Sequence, residues 1–436
     1  MLSPEHGVVG ILAGAGSLPR EVAQHVTARG GRVHVVTLGD GVDVGLADFP
    51  VTKADMAKVG TILRAFRNAG CRKLVIVGAV TRPDLGALWP DLGFFLSLPA
   101  ILRLIATGGD DDLLSSIVRF FEGKGFEVVA PAAMAPELLA GAGPLGKVVA
   151  TPEQARDAAV GFDAVRAMGP YDVGQAVVVT DGRLEAVEGV EGTDRMLARL
   201  AARRARSGEP QTGRRGVLVK RPKPGQELRI DLPAIGPGTV ERAMEAGLAG
   251  IAVQAGGVLA AERARLVRRA DDGGLFVQGW EIANASGAAA AAGPQGWHAT
   301  ALTPRKLDAS QIDDAAKGAG LLTTIDAFGS GRGAIVDRGH VLAVECTQSV
   351  EALFAEARGM RQWGRRRSRR SGVAVLGQAS DLQPSLVNAA ATAGLAGLAL
   401  VGQPPAAAHA AIAEADRLGL AVVALAAAQD GQHGRQ

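Results

Sequence analysis

Short apolar segments alternate with amphipathic stretches through the first third of the chain. Residues 7–14, 32–39 and 73–80 are rich in Val, Ile and Leu, and each contains a glycine near its C-terminal end, as buried strands often do. The stretches between them have the apolar spacing of helices. Strands that alternate with helices in this way predict a parallel sheet covered by helices. We therefore predict an α/β protein with a Rossmann-like N-terminal domain over residues 1–147.

The pattern changes after residue 150. Residues 151–168 form a helical stretch that opens with Thr151, a residue type that caps helix N-termini. Residues 175–189 contain two apolar runs around an Asp-Gly pair, which predicts a hairpin. Helical and strand patterns then alternate, so we predict a second α/β domain over residues 151–280.

The last third of the chain repeats the pattern of the second domain. DGRLEAVEGVEGTDRML at residues 181–197 is echoed by RGHVLAVECTQSVEALF at residues 338–354, and further matching patches follow in the same order. We interpret residues 303–426 as a divergent second copy of residues 151–280. The remaining segments are an Ala/Gly-rich linker and a short tail, residues 281–302 and 427–436.

Composition fits a folded protein that stays in a reducing compartment. Apolar residues make up 47% of the 436 residues and charged residues 21%, which is typical of a globular chain. The two cysteines are too few for a disulfide framework or a zinc site. We find no signal sequence and no apolar run long enough to span a bilayer. We expect a cytoplasmic protein that can also work as a peripheral protein at the inner-membrane surface.

A basic run, WGRRRSRRSG at residues 363–372, raises the question of an anionic partner. The net charge of the whole chain is only +3, and the run has no interleaved aromatic residues. Its counterpart in the second domain, residues 203–215, is also basic and also a predicted loop. A solvated loop is the favoured interpretation, contact with anionic lipid at the inner leaflet comes next, and we predict no nucleic-acid partner.

The segment LAGAGSLP, residues 12–19, joins the first predicted strand to the first predicted helix. Glycines let the backbone approach a ligand, and a helix N-terminus offers N–H groups to a phosphate. The third glycine of a dinucleotide-binding fingerprint is missing, which disfavours a nicotinamide enzyme. The segment is either a tight turn or a phosphate or nucleotide site; in the second case the binding residues are Gly14, Ala15, Gly16, Ser17 and Leu18.

Charged residues also follow the third predicted strand, where open α/β sheets bind ligands. Arg82 can pair with a phosphate, and Asp84, Asp91 or the acids at 110–112 can hold a cation or sugar hydroxyls. The alternative is ordinary helix capping and solvated turns, which use aspartate for other reasons.

Two segments of the second domain carry the remaining candidates. Residues 188–194, here the acidic loop, place Glu188, Glu191 and Asp194 close together, which suits a divalent metal or a sugar unless Thr193 or Asp194 is simply a helix cap. Residues 218–243, here the proline-rich segment, contain Asp231 among prolines and the cations Lys220 and Arg229. A fixed carboxylate of this kind can bind Mg²⁺ or orient water against a phosphate; the alternative is a charged loop that pairs with its own basic residues.

Four stretches together resemble one family. They are GILAGAGSLP, VGAVTRPDL, DVGQAVVV with AVEGVEGTD, and the long KPGQELRIDLPAIGPGTVERAMEAGLAGIAVQAG, and over residues 7–280 they resemble the LpxI-type UDP-2,3-diacylglucosamine pyrophosphatases. The resemblance implies hydrolysis of UDP-2,3-diacylglucosamine to UMP and 2,3-diacylglucosamine 1-phosphate (lipid X) for lipid A synthesis. It also implies a divalent cation, Mg²⁺ or Mn²⁺, a lipid-sugar substrate held between two domains, and dimers.

The resemblance places the essential aspartate on Asp231. We assign catalysis to Asp231 and Lys220 and the metal to Asp231, Glu191 and Asp194. The substrate would be bound by Gly14, Ala15, Gly16, Ser17, Leu18, Arg82, Asp84, Gln175, Gly192 and Thr193. Its acyl chains need an apolar cleft, for which residues 92–105 are a candidate, although an ordinary core helix is slightly favoured there.

The repeat departs from the family pattern. EGTD becomes QSVE at residues 348–351, Lys220 is replaced by Leu376, and Asp381 is a possible remnant of Asp231 without its prolines. We predict that this copy is non-catalytic and that it replaces the partner domain of a dimer, giving a monomer or an altered homodimer. Two other functions stay open for the chain: a non-catalytic regulatory protein that binds a lipid-sugar or nucleotide, and a hydrolase of another nucleotide sugar.

Overall fold

The computed structural model describes residues 7–39, 44–79, 110–207, 213–282, 296–346, 350, 352–355 and 370–428. These residues form three α/β units, which we call the first unit (7–138), the second unit (139–282) and the third unit (296–428).

The first unit is built on a five-stranded parallel sheet in the order β3-β2-β1-β4-β5. Central strand β1 is fully buried, which explains its unbroken apolar sequence. This arrangement confirms the Rossmann-like N-terminal domain. Its elements are β1 (Val9–Ala13), α1 (Leu18–Ala28), β2 (Val33–Leu38), β3 (Val51–Ala54), α2 (Val59–Asn68), β4 (Lys73–Val77), α3 (Asp110–Glu122), β5 (Glu127–Val128) and α4 (Pro131–Met134).

The second unit has a mixed six-stranded sheet in the order β6-β13-β11-β9-β7-β8 and a two-stranded sheet of β10 and β12. Strands β9, β11 and β13 are parallel, whereas β7 and β8 form the predicted hairpin, with Asp181 and Gly182 both at positive φ. Its elements are β6 (Gly143–Pro144), α5 (Pro152–Met168), β7 (Ala176–Thr180), β8 (Arg183–Val187), α6 (Thr193–Ser207), β9 (Val217–Lys220), β10 (Ala234–Ile235), α7 (Pro237–Glu245), β11 (Gly250–Gln254), β12 (Leu259–Ala260), α8 (Arg263–Asp272) and β13 (Phe276–Trp280).

The third unit has a six-stranded sheet in the order β14-β19-β18-β17-β15-β16. Its elements are β14 (Trp297–Ala301), α9 (Ala309–Asp326), β15 (Gly333–Asp337), β16 (His340–Glu345), β17 (Val373–Leu376), α10 (Pro384–Ala393), β18 (Gly397–Val401), α11 (His409–Arg417) and β19 (Ala421–Ala427). Read in chain order, this is the same topology as in the second unit, with the same parallel and antiparallel pairs and a register shift at the same place in the hairpin. Two matching sheets are the arrangement that a duplication produces.

Side-chain contacts repeat along with the strands. Helix α5 begins with a capping box on Thr151, and α9 begins with one on Asp308. In the second unit, Asp157 accepts two backbone N–H bonds from its hairpin turn, and Asp314 does the same in the third unit. Burial raises the pKa of both carboxyl groups.

Three short strands depart from the predicted organisation. The edge strand β3 lies in a stretch that carries no clear alternation. Strand β6 pairs with β13, so the second sheet begins before residue 147, and β14 pairs with β19, so the third sheet begins inside the predicted linker 281–302. Each of these is an edge strand whose position is set by its partner rather than by its own sequence, which is why pattern alone missed it.

One hydrophobic core spans the second and third units. It includes Phe162 and Val219 from the second unit and Leu322 and Val375 from the third, all of them buried. Helix α5 packs against α9, and β8 packs against β16. These are equivalent elements, so the two units meet through matching surfaces, as subunits related by a twofold axis do.

Candidate functional site

A cleft of about 630 Å³ lies between the first and second units. From the first unit it is lined by the residues that follow β1 and β4, and from the second by Lys220 at the end of β9, the acidic loop and the proline-rich segment. The carboxyl ends of parallel strands therefore supply both walls. This is the edge at which open α/β sheets bind ligands.

The glycine turn after β1 forms one wall of the cleft through Ala15, Gly16, Ser17 and Leu18. Gly16 has a φ of +99°, and a side chain added there would meet no atom within 4 Å, so the backbone faces open space. Helix α1 begins at Leu18, and both Leu18 and the preceding Ser17 line the cleft, so the N-terminal end of the helix lies at the cleft. The turn therefore has the geometry of an anion site.

Gly14 has a different position from the one predicted for it. It is absent from the cleft lining, and a Cβ atom there would lie 2.5 Å from the carbonyl oxygen of Ala79. The next residue, Ala15, donates its N–H to that carbonyl at 2.7 Å. Gly14 is thus needed for the close approach of the turn to the end of β4, and the ligand-facing part of the turn starts one residue later.

The proline-rich segment places Asp231 in the opposite wall of the cleft. The side-chain amide of Gln226 donates to the backbone carbonyl of Asp231 at 2.8 Å and also to its carboxylate. The same amide donates to the side chain of Gln175 at 3.1 Å. Gln226 is buried, so among the described residues Asp231 is held by a fixed amide. Gln175, predicted to bind substrate, is a supporting residue outside the lining.

Arg229 serves to dock the segment on the first unit. Its guanidinium pairs with Glu227 at 2.7 Å and with Glu122 of α3 at 2.8 Å. The flanking Ile230 and Leu232 pack against the two hydrophobic clusters of the first unit. Arg229, one of the cations near Asp231 in the sequence, thus forms an interdomain ion pair, which fixes where the segment crosses the cleft.

A buried polar chain links Lys220 to the acidic loop. The Lys220 ammonium donates to the Thr193 hydroxyl at 2.9 Å, and that hydroxyl donates to Glu188 Oε1 at 2.9 Å. Glu188 Oε2 accepts the backbone N–H of Gln175 at 3.0 Å. All three side chains are nearly inaccessible to solvent yet line the cleft, so the lysine is anchored by one of its three N–H donors.

The three predicted metal ligands all line the cleft but differ in environment. Glu191 is paired with Arg199 at 2.8 Å, and only 3% of its side chain is exposed, whereas Asp194 is exposed. Within the described part of the chain, no three acidic, histidine or cysteine side chains are grouped closely enough to hold a metal ion. Mg²⁺ is commonly held by one or two carboxylates together with substrate phosphates. Asp231 fits that role better than the ion-paired Glu191.

Several predicted residues lie outside the described part of the chain. These undescribed residues are Arg82, Asp84, Asp91, the apolar stretch 92–105 and most of the basic run 363–372. The side chains at 110–112 are not described either. Gly192 and Thr193, predicted to bind substrate, are described and line the cleft. Among the described helices, none has the length and apolarity that crossing a membrane requires.

The equivalent place in the third unit has lost its polar chain. Strand register puts Leu376 where the second unit has Lys220, and the repeat alignment puts the buried Val350 where it has Thr193. The counterpart of Glu188 is Glu345, which accepts the backbone N–H of Arg332 at 3.1 Å. Burial raises the pKa of Glu345 to about 7.

The possible remnant of the aspartate is also neutralised. Asp381 accepts two hydrogen bonds of 3.2 Å from the guanidinium of Arg332. Arg332 stands where the second unit has Gln175, the residue that accepts a hydrogen bond from Gln226, so Asp381 is ion-paired to a residue whose counterpart does not bond to Asp231. No described residue of the third unit lines the cleft.

A Rossmann-like unit and a mixed α/β unit that enclose an acidic cleft define a two-domain α/β protein with an interdomain ligand site. The two units match the family models of the LpxI N-terminal domain, over residues 8–138, and the LpxI C-terminal domain, over residues 141–278. The chain belongs to the LpxI family. Its relative from Caulobacter vibrioides, named UDP-2,3-diacylglucosamine pyrophosphatase LpxI, is 41% identical over 275 residues, which are 62% of this chain and 96% of the relative. The third unit lies beyond both family models.

Proposed function

We propose that the protein hydrolyses the pyrophosphate of UDP-2,3-diacylglucosamine to UMP and 2,3-diacylglucosamine 1-phosphate, a step of lipid A synthesis. The proposal extends the name of the Caulobacter relative to this chain, at 41% identity across nearly the whole relative. The observation that carries it is the cleft in which Asp231 and the glycine turn form opposite walls. A pyrophosphate needs both: donors for its negative oxygens on one side and a carboxylate for metal or water on the other.

In this proposal, each wall has a separate task. The N-terminal end of α1, at Gly16 to Leu18, receives a phosphate through backbone N–H groups. Lys220, held in place by Thr193, neutralises charge on the departing phosphate. Asp231, fixed by Gln226, orients the attacking water or holds a divalent cation.

The cation is part of the proposal. Mg²⁺ or Mn²⁺ would be held by Asp231, with the exposed Asp194 as a further oxygen donor in the cleft. When bound, the metal would draw negative charge from the phosphate oxygens. We further propose that the protein works in the cytoplasm at the inner-membrane surface, because its proposed substrate carries two acyl chains and no described helix spans a membrane.

The test is turnover by the purified full chain. UDP-2,3-diacylglucosamine with MgCl₂ should give UMP and 2,3-diacylglucosamine 1-phosphate in equal amounts by mass spectrometry, and a chelator should stop the reaction. An acyl-free UDP-sugar is the matched comparison and should be cleaved much more slowly. Equal cleavage of both would indicate a hydrolase of other nucleotide sugars, and no release of UMP from either would overturn the enzyme proposal.

A further inference from the structure

The third unit contacts the acidic loop directly and the proline-rich segment through the turn after α5, although it contributes no described residue to the cleft lining. The first contact is with the acidic loop. A Cβ atom on Gly189 would lie 2.6 Å from the carbonyl oxygen of Leu342 in β16, so the loop passes directly over this strand. The next residue, Val190, packs against the hydrophobic cluster of the third unit. This contact at Gly189 and Val190 lies within a few residues of Glu188, Glu191 and Thr193 in the sequence.

The second contact reaches the base of the proline-rich segment through the turn after α5. The Tyr171 hydroxyl lies 3.2 Å from the Thr324 hydroxyl of α9, and the Tyr171 ring lies against Gly320, where a Cβ atom would be 2.8 Å from it. Tyr171 and Gly169 belong to one 3₁₀ turn. A Cβ atom on Gly169 would in turn be 2.8 Å from Pro224, at the start of the proline-rich segment.

An ion pair continues the second contact. Asp172, in a left-handed conformation at φ 50°, pairs with Lys223 of the proline-rich segment. Burial lowers the pKa of Lys317 in α9, and the negative charge of Asp172 offsets part of this effect. Thus Gly320 and Thr324 of α9 lie against the turn that holds Lys223 and Pro224, a short distance along the chain from Gln226 and Asp231.

We propose that the third unit is a positioning module for the wall that the second unit contributes to the cleft. It supports the acidic loop through β16 and the proline-rich segment through α9, and so fixes the distance between Lys220 and Asp231. At the equivalent place in the third unit, Leu376 and Val350 stand for Lys220 and Thr193, and Asp381 is ion-paired. These replacements agree with a supporting role and with no second active site. The inference rests on the proposed function for its kinetic readout only.

The contact between α9 and Tyr171 allows a test on the full chain without altering the cleft. In Gly320→Ala, the added methyl group must push the Tyr171 ring away, while the helix itself gains from alanine. In Thr324→Val, the hydrogen bond to Tyr171 is lost. Thr323→Val is the matched control, because Thr323 makes the same backbone bond one turn back, is exposed and does not contact Tyr171.

We expect kcat to fall about tenfold to a hundredfold in Gly320→Ala, because displacements near 1 Å cost that much in oriented reactions. A smaller fall should appear in Thr324→Val and none in Thr323→Val. Amide hydrogen exchange is the readout that does not depend on activity: it should rise over residues 222–231 in Gly320→Ala and stay unchanged in β1 and β2. A change of stability alone would raise exchange throughout the molecule.

The two proposals fail in distinguishable ways. Wild-type protein without turnover would overturn the proposed function, and the exchange data would still decide the inference. Wild-type turnover with unchanged kcat and unchanged exchange over residues 222–231 in both Gly320→Ala and Thr324→Val would overturn the positioning role.

Discussion

The buried chain from Lys220 through Thr193 to Glu188 gives the sharpest prediction about stability. The three side chains are 6%, 8% and 5% exposed, and both hydrogen bonds measure 2.9 Å. Thr193→Val removes the hydroxyl and keeps the shape of the side chain. It therefore takes one partner from a buried ammonium and one from a buried carboxylate at the same time.

The size of the effect follows from these contacts. A hydrogen bond to a charged group contributes about 1.5–3 kcal/mol, and two are lost. In the variant, Lys220 and Glu188 can move closer to each other and recover part of this loss. We therefore expect the free energy of unfolding to fall by about 3 kcal/mol. Thr193→Ser is the control: it keeps the hydroxyl and loses one methyl group, at a cost of about 1 kcal/mol.

Urea unfolding followed by circular dichroism measures both variants against the wild type. We expect kcat of Thr193→Val to fall as well, because Lys220 loses its anchor. If the valine and serine variants are equally stable, the Thr193 hydroxyl does not stabilise the buried polar chain, and the prediction is wrong. The third unit makes that result unexpected, since burial raises the pKa of Glu345, the counterpart of Glu188, to about 7.

Two further predictions concern other parts of the molecule. Because burial raises the pKa of Glu345 from 4.5 to about 7, its contribution to stability is complete below about pH 4.5 and is lost as the pH rises through 7. Glu345→Gln should remove this pH dependence and raise the free energy of unfolding at pH 8 by up to about 3 kcal/mol. An unchanged pH profile of the variant in urea titrations would contradict this prediction. Gly14→Ala should lower the free energy of unfolding by about 1–3 kcal/mol, because its Cβ atom would meet Ala79, while Gly141→Ala, where nothing lies within 4 Å, should be near wild type; equal thermal stability of the two would show that the turn tolerates a side chain.

Much of the fold was predictable from the sequence because its main signals are local. The buried strands β1, β2 and β4 are continuous apolar runs, and the Asp181-Gly182 turn has the residue types that its positive φ angles require. The repeat was visible because the same order of patches recurs. Edge strands β6 and β14 carry no such signal, and their pairing partners are far away in the sequence.

The site was predictable to the level of segments and not of contacts. The glycine turn, Lys220, Thr193 and Asp231 do line one cleft, which the expected position of ligands at strand ends implied. No sequence pattern indicates that the amide of Gln226 holds Asp231, or that Arg229 reaches Glu122. Nor could it reveal that Tyr171 meets Gly320, since each of these contacts is made by tertiary packing between separate elements.

In the proposed function, Asp231 acts on the pyrophosphate in the interdomain cleft. Asp231→Asn tests it most directly, because the asparagine oxygen can still accept the bond from Gln226 and only the negative charge is lost. We predict that UMP release from UDP-2,3-diacylglucosamine falls about a thousandfold while the unfolding curve and substrate binding stay as in the wild type. An Asp231→Asn variant that releases UMP at the wild-type rate would contradict the account.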